Sequence, residues 1–344
     1  MVERAHMIAE DVLFPAALEV DAQGAIPDSH FDLLAAEGFY GLAADRERSG
    51  VEVDFPSLIK ILETLSSGCL TTTFTWLQHY SVVRGLTGTA NAGLREKYLD
   101  AAIRGELRGG VSFAGAIPQP PRLWAAATDG GWLLTGEAPF VTGWGIIEVL
   151  QISARNTALR AGQPTGTIVT GLIDAQAGAG ITVEPLHMVA AQASNTVRLR
   201  FADYVLPAEK VTAEVTHSDF LSYQVMSSRR SGCLAMGVAE RSIRMIGEVG
   251  RPQVAALLQA QLREIRNRLD AGLDDPATLP AARAAASELA YRAAGALVVA
   301  VGSAGILARQ HAQRLVREAT FILVAAGRPD IKDSLLKALG RGHG

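Results

Sequence analysis

The chain has 344 residues, 49% of them apolar and 19% charged, with 32 basic side chains against 35 acidic ones and a net charge of −3. That much apolar surface excludes a disordered chain, and the lack of a basic excess argues against a nucleic-acid partner. Two cysteines, Cys69 and Cys233, cannot build a disulfide framework, so a reducing, cytoplasmic setting is expected.

From the N-terminus to about Arg108 the apolar residues recur at helical spacing. Phe31, Leu33 and Leu34 form one stripe and Leu58, Ile61, Leu62 and Leu65 another. Asp54 precedes Phe55-Pro56 and predicts a helix cap with proline in the first turn. Ala92 to Ile103 predicts a further helix that stops at Gly105. From Gly109 to about Val211 the texture is that of strands between turns, clearest where Val197, Leu199 and Phe201 alternate with Thr196, Arg198 and Arg200. Helical periods return after Thr212, with stripes over Val254–Leu269, Ala281–Val301 and His311–Ala325. The order predicts an α+β multidomain chain. It has an N-terminal helical domain (1–108), a central β-barrel or sandwich domain (109–212) and a C-terminal four-helix-bundle-like domain (213–344).

Acids near the start (Glu3, Glu10, Asp11) do not fit a secretory leader. The longest uncharged apolar run, Ala293 to Ala308, falls short of the roughly 20 residues of a spanning helix, so no membrane association is expected. No zinc-ligand spacing, Walker loop or dinucleotide fingerprint occurs, and no metal is expected. Ser57-Leu58-Ile59-Lys60 imitates a nucleophile motif but lies on a helix stripe, which reads as structure.

Taken in order, a set of segments resembles the acyl-CoA dehydrogenase family. It begins with Leu34 to Leu42 and Ser49-Gly50-Val51, and continues with Leu94 to Leu107 and Val111-Ser112-Phe113-Ala114-Gly115. Leu134 to Gly143 and Ala193 to Pro207 follow, then Gly302-Ser303-Ala304-Gly305 and Gln313 to Ala319. The resemblance implies FAD as cofactor, acyl-CoA or another acyl thioester as substrate, a homo- or hetero-oligomer and an electron-acceptor protein. It also implies cofactor contacts at Ser112, Phe140, Val141, Thr142, Gly143, Gly302 and Ser303. Phe140 and Thr142 lie two apart on a predicted strand and so are expected on one face, as an aromatic cover and a hydroxyl for the flavin.

The departures from the family concern its base, a glutamate that removes the α-proton of the thioester. The residues matching its two usual positions are Ala326, before Gly327, and Ser227. Glu240 lies about 20 Å beyond Ser227 along the same helix, the first of the C-terminal domain, Glu318 suits a structural ion pair and Asp330 a helix cap. No catalytic residue is therefore assigned. The family's subunit-crossing loop is reduced to Arg251-Pro252, and the proline-rich Ile117–Pro121 removes backbone donors from the loop expected to hold pyrophosphate. The implied activity is α,β-dehydrogenation of an acyl thioester, alone or within a mixed assembly. A flavin oxidase or hydroxylase of the same fold, or an inactive partner subunit, are the alternatives.

Overall fold

The computed structural model describes residues 1–49, 51–156, 158, 166–178 and 180–340. Gly50, part of one resembling segment, lies outside them. Helices α1 (Val2–Met7), α2 (Phe14–Gln23), α3 (Asp28–Ala36) and α4 (Arg46–Ser49) lead to α5 (Phe55–Gly68), α6 (Leu70–Gly88) and α7 (Ala92–Ile103). Asp54 caps α5 as expected, its carboxylate accepting the Ser57 N–H at 2.8 Å. Ser57 of the nucleophile-like motif is thus a first-turn residue, and Lys60 faces Glu240 at 3.6 Å.

Eight strands follow: β1 (Gly109–Ser112), β2 (Leu123–Thr128), β3 (Gly131–Val141), β4 (Val149–Asn156), β5 (Thr167–Asp174), β6 (Ile181–Pro185), β7 (Val197–Pro207) and β8 (Val211–Thr216). They form one mixed sheet in the order β6-β7-β3-β2-β4-β5-β8, with β1 added parallel to β4 from Gly109↔Val149 to Ser112↔Ile152. The sheet curls on itself, since a Cβ on Gly171 of β5 would lie 2.6 Å from Leu206 of β7. The alternation in β7 holds: Val197, Leu199 and Phe201 are buried in the sheet's own core.

The C-terminal helices are α8 (His217–Met226), α9 (Ser228–Glu248), α10 (Pro252–Ala271), α11 (Leu279–Val301), α12 (His311–Val324) and α13 (Pro329–Leu339). The N-terminal and C-terminal helices share one hydrophobic core, in which Leu58, Ile61, Leu62 and Leu65 of α5 meet Leu234, Val238 and Leu289. α5 and α9 touch backbone to side chain at Gly237, where a Cβ would overlap the Glu63 carbonyl and lie 2.7 Å from Ser66 Cβ. Beside that contact Glu63, 1% exposed, is held between Arg229 and Arg266 at 3.4 and 2.8 Å. The stretch Pro276–Ile306 around α11 is long and apolar enough to cross a membrane by length and composition, which the shorter run in the sequence did not suggest. One face of α11 packs inside the bundle through Leu289, Ala290, Ala293 and Leu297.

Candidate functional site

Two walls of the site can be built from their residues. The first is the end of β1 and the turn after β3. His79 of α6 fastens β1, its Nδ1 accepting the Gly109 N–H at 2.9 Å while its Nε2–H donates to the Ala102 carbonyl at 3.0 Å. Only the neutral ring can do both, and burial pushes the His79 pKa down to about 4. One residue on, a Cβ at Gly110 would lie 2.5 Å from Ile147 Cδ1 and 3.3 Å from the Thr142 carbonyl. Glycine therefore lets β1 lie against the β3 turn. Ser112, at the end of β1, is 3% exposed and its hydroxyl has no hydrogen-bond partner among the described residues.

Val141 is the last residue of β3 and is buried in the sheet core. Thr142 turns inward, so the expected shared face with Phe140 is not kept: Phe140 is 58% exposed and Thr142 only 6%. The Thr142 hydroxyl lies 3.2 Å from that of Thr196, which is 2.8 Å from Ser194. Gly143 takes the left-handed conformation (φ +86°) and donates its N–H to the Ser194 carbonyl at 2.8 Å. In the loop after β1, Phe113 sits 6.2 Å from the Phe220 ring of α8, and Arg155 ties the proline-rich stretch through the Ala116 and Ile117 carbonyls. Gly302 and Ser303 stand apart in an exposed turn that packs on α11 and α12.

The second wall carries the two positions where a base was sought. Ala326 is exposed, has φ +52°, and directly follows Ala325, the C-cap of α12. Ser227 sits at the α8–α9 junction, its hydroxyl donating to the Gln224 carbonyl at 2.8 Å. Two guanidinium groups join these positions. Arg328 donates to the Gln224 carbonyl at 2.6 Å and to Ser228 Oγ at 3.0 Å. Arg283 of α11 donates to Ser231 Oγ and to the Ala325 carbonyl, both at 3.4 Å, and also to Ser287. Asp330 neutralises Arg328 at 2.8 Å and lies in the first turn of α13, so it is not that helix's cap. Arg283 is 2% exposed and has no acidic partner among the described residues. Burial pushes its pKa down to about 10, and the nearby Arg328 pushes the same way.

Neither other carboxylate considered reaches this wall. Glu318 is buried against Arg314 at 2.6 Å, and burial raises its pKa. Glu240 is engaged by Arg266 at 3.3 Å. The walls meet on α6, which touches the β3 turn through Thr75 (3.6 Å from a Cβ on Gly143) and α12 through Phe74, 5.0 Å from Phe321. Further along α6, Tyr80 lies under the Arg230 guanidinium at 4.7 Å and Arg84 lies over the Tyr223 ring at 5.3 Å. Two surface grooves, of about 450 and 460 Å³, lie elsewhere and are lined by Asp174, Tyr204 and Lys210 and by Arg48, Asp100 and Arg104. Sequence reasoning missed His79, Arg84, Arg230 and Arg283, because none stands in a motif.

The acyl-CoA dehydrogenase N-terminal domain model matches residues 1–106. Mitochondrial isovaleryl-CoA dehydrogenase of Arabidopsis thaliana is 22% identical over 362 residues, covering 96% of this chain and 88% of that protein. The solved butyryl-CoA dehydrogenase of Megasphaera elsdenii superposes with a TM-score of 0.81 at 19% identity, over 99% of this chain and 97% of that one. The chain has the fold of the acyl-CoA dehydrogenases, and its first 106 residues match that family's N-terminal domain. Another structure of the same fold is the FAD complex of PigA, with a TM-score of 0.81, 19% identity and coverage of 98% and 96%. Within the family's fold this chain keeps helices flanking a mixed sheet, and has alanine and serine at the positions read as the base.

Proposed function

We propose that this chain is an FAD-dependent oxidoreductase acting on an acyl thioester. The observation that carries the cofactor assignment is Ser112, whose buried hydroxyl has no partner among the described residues and lies at the end of the strand that touches the β3 turn. A buried hydroxyl without a partner is unfavourable by about 1–3 kcal/mol, and a ligand acceptor or donor would relieve it. The exposed Phe140 ring, at the end of β3, offers a flat apolar face to a fused ring system. FAD bound here would supply the electron acceptor. The chain's own residues would cover it (Phe140), hydrogen-bond it (Ser112) and fix the turn beneath it (Thr142, Gly143, with Thr196 and Ser194 behind). The exposed turn at Gly302 and Ser303 would contact cofactor only across a subunit boundary, as part of a homo- or hetero-oligomer.

As an α,β-dehydrogenase the chain would need a carboxylate from another subunit of a mixed assembly, since Ala326 and Ser227 cannot accept the α-proton. Passing electrons on would then involve an acceptor protein. The absence of a carboxylate at both positions, together with the acid-free Arg283, favours a second reading: a flavin oxidase or hydroxylase, in which oxygen is the partner and no α-proton base is needed. The test is reconstitution of the purified chain with FAD. A yellow protein with stoichiometric FAD is the expected result, and a colourless protein that cannot be loaded would overturn the reading. Reduced, loaded protein that is rapidly reoxidised by air would select the oxidase or hydroxylase form.

A further inference from the structure

We propose that the ligand's acyl group carries a carboxylate, received by Arg230 and Arg84 between α6 and the α8–α9 junction. The proposal rests on the acyl thioester reading and adds the substrate class: a monothioester of a dicarboxylic acid.

Tyr80 and Arg84 stand one turn apart on α6, while Tyr223 and Arg230 flank Ser227 on the opposite side. Each arginine is laid on the other side's tyrosine, at 4.7 Å for Arg230 on Tyr80 and 5.3 Å for Arg84 on Tyr223. Stacking occupies the face of a guanidinium and leaves its N–H edge for a planar, bidentate acceptor. Neither arginine has an acid or a carbonyl acceptor among the described residues. The habit elsewhere in the chain is different, since Arg229, Arg241, Arg266, Arg314 and Arg317 all sit on carboxylates.

Arg283 adds a third cation without an acid on the same wall, and Arg328 is already neutralised by Asp330. Acids on the neighbouring helices are engaged elsewhere: Glu240 with Arg266 at 3.3 Å, Asp270 with Arg229 at 2.6 Å, and Asp219 with the Thr216 hydroxyl at 2.6 Å. With Arg283 on the Ala325 carbonyl beside the exposed Ala326, and Arg230 and Arg84 stacked on tyrosines without acids among the described residues, this wall is a receiver of negative charge. A charge-assisted fork-to-fork contact is the strongest polar interaction such a wall can make.

The test compares two thioesters of equal chain length, hexanoyl-CoA and adipoyl-CoA, by calorimetric titration of the full-length, FAD-loaded chain. Adipoyl-CoA is expected to bind about tenfold or more tightly, the usual scale for a hydrogen bond to a charged group. Arg230→Gln should bring adipoyl-CoA down to the affinity of hexanoyl-CoA, and Arg230→Lys should restore part of the difference. Arg84→Gln, at an exposed side chain that the fold does not need, should lower adipoyl-CoA affinity independently. Equal affinities in the unmodified chain would overturn this proposal alone. So would a loss on Arg230→Gln that is equally large for coenzyme A by itself, because the arginines would then be holding its phosphates. Absence of binding by either thioester would overturn the proposal and the thioester reading together.

Discussion

The wall made by Ser112 and Phe140–Gly143 and the wall made by Ser227 and Ala326 both rest on α6, yet they are built from opposite chemistry. The first is neutral: one exposed ring, a run of buried hydroxyls, and a glycine turn held by backbone hydrogen bonds. The second is cationic, with Arg283 and Arg230 lacking acidic partners among the described residues and a methyl and a hydroxyl group at Ala326 and Ser227. On the proposed reading, the contrast teaches that holding a flavin and removing a proton are separable demands on one fold. The neutral wall depends on close backbone approach at Gly110 and Gly143, which ties it to the packing of β1, β3 and α6. The cationic wall is assembled from side chains on four separate helices and the turn before α13, and these can change without disturbing the sheet.

Substitutions can break or sharpen that contrast. The largest effect is expected at Glu63, which anchors the helices behind the cationic wall. Glu63→Gln would strip the fully buried Arg229 of one of its two carboxylates, with an expected loss of about 3–5 kcal/mol in urea unfolding. A loss well below that would show that Asp270 alone sustains the bundle.

Acid should act next, and mainly on the neutral wall. His79 is neutral in the fold, with its pKa lowered from 6.5 to about 4, so its contribution is complete above about 6.5 and is lost as pH falls towards 4. The shift corresponds to about 3 kcal/mol. His311, also lowered to about 4, has the same sign. Urea unfolding between pH 7.5 and pH 4, which spans both values, should show this decline. His79→Gln, which can still donate and accept, should flatten the His79 part of it.

Phe140→Ala should weaken FAD binding by about three- to tenfold, measured by flavin fluorescence titration, while barely moving the thermal midpoint of the cofactor-free chain. The smallest effect, and the most diagnostic in sign, is Ser112→Ala. Removing an unpartnered buried hydroxyl should leave the cofactor-free chain as stable or stabilise it by up to about 1 kcal/mol, while lowering FAD affinity. A cofactor-free chain clearly destabilised by that change would contradict the role given to Ser112.

Local pattern made part of this legible. The Asp54 cap, the α5 stripe and the alternation in β7 all follow from periodicity that the fold then uses. α6 was not legible, because Thr71, Thr72, Thr73 and Thr75 are poor helix formers and the helix is buried on several sides, leaving no amphipathic period. β1, a four-residue Gly-Gly-Val-Ser strand, has no side-chain pattern to read; its place comes from tertiary contact with α6 and β4. At the site, Phe140, Thr142 and Ser112 were visible through the ordered resemblance. Arg84, Arg230, Arg283 and Arg328 were not, since residues so far apart in the chain become neighbours only after the helices pack.

The most direct test of the claim that this chain keeps a flavin wall but has no proton-abstracting carboxylate is anaerobic mixing with hexanoyl-CoA and with adipoyl-CoA, followed by flavin absorbance. The FAD-loaded chain and its Ala326→Glu variant would be compared side by side. The unmodified chain is expected to bind and stay oxidised, whereas Ala326→Glu is expected to be bleached. Bleaching of the unmodified chain as fast as the variant would contradict that claim, by showing that a base operates from a residue outside both positions.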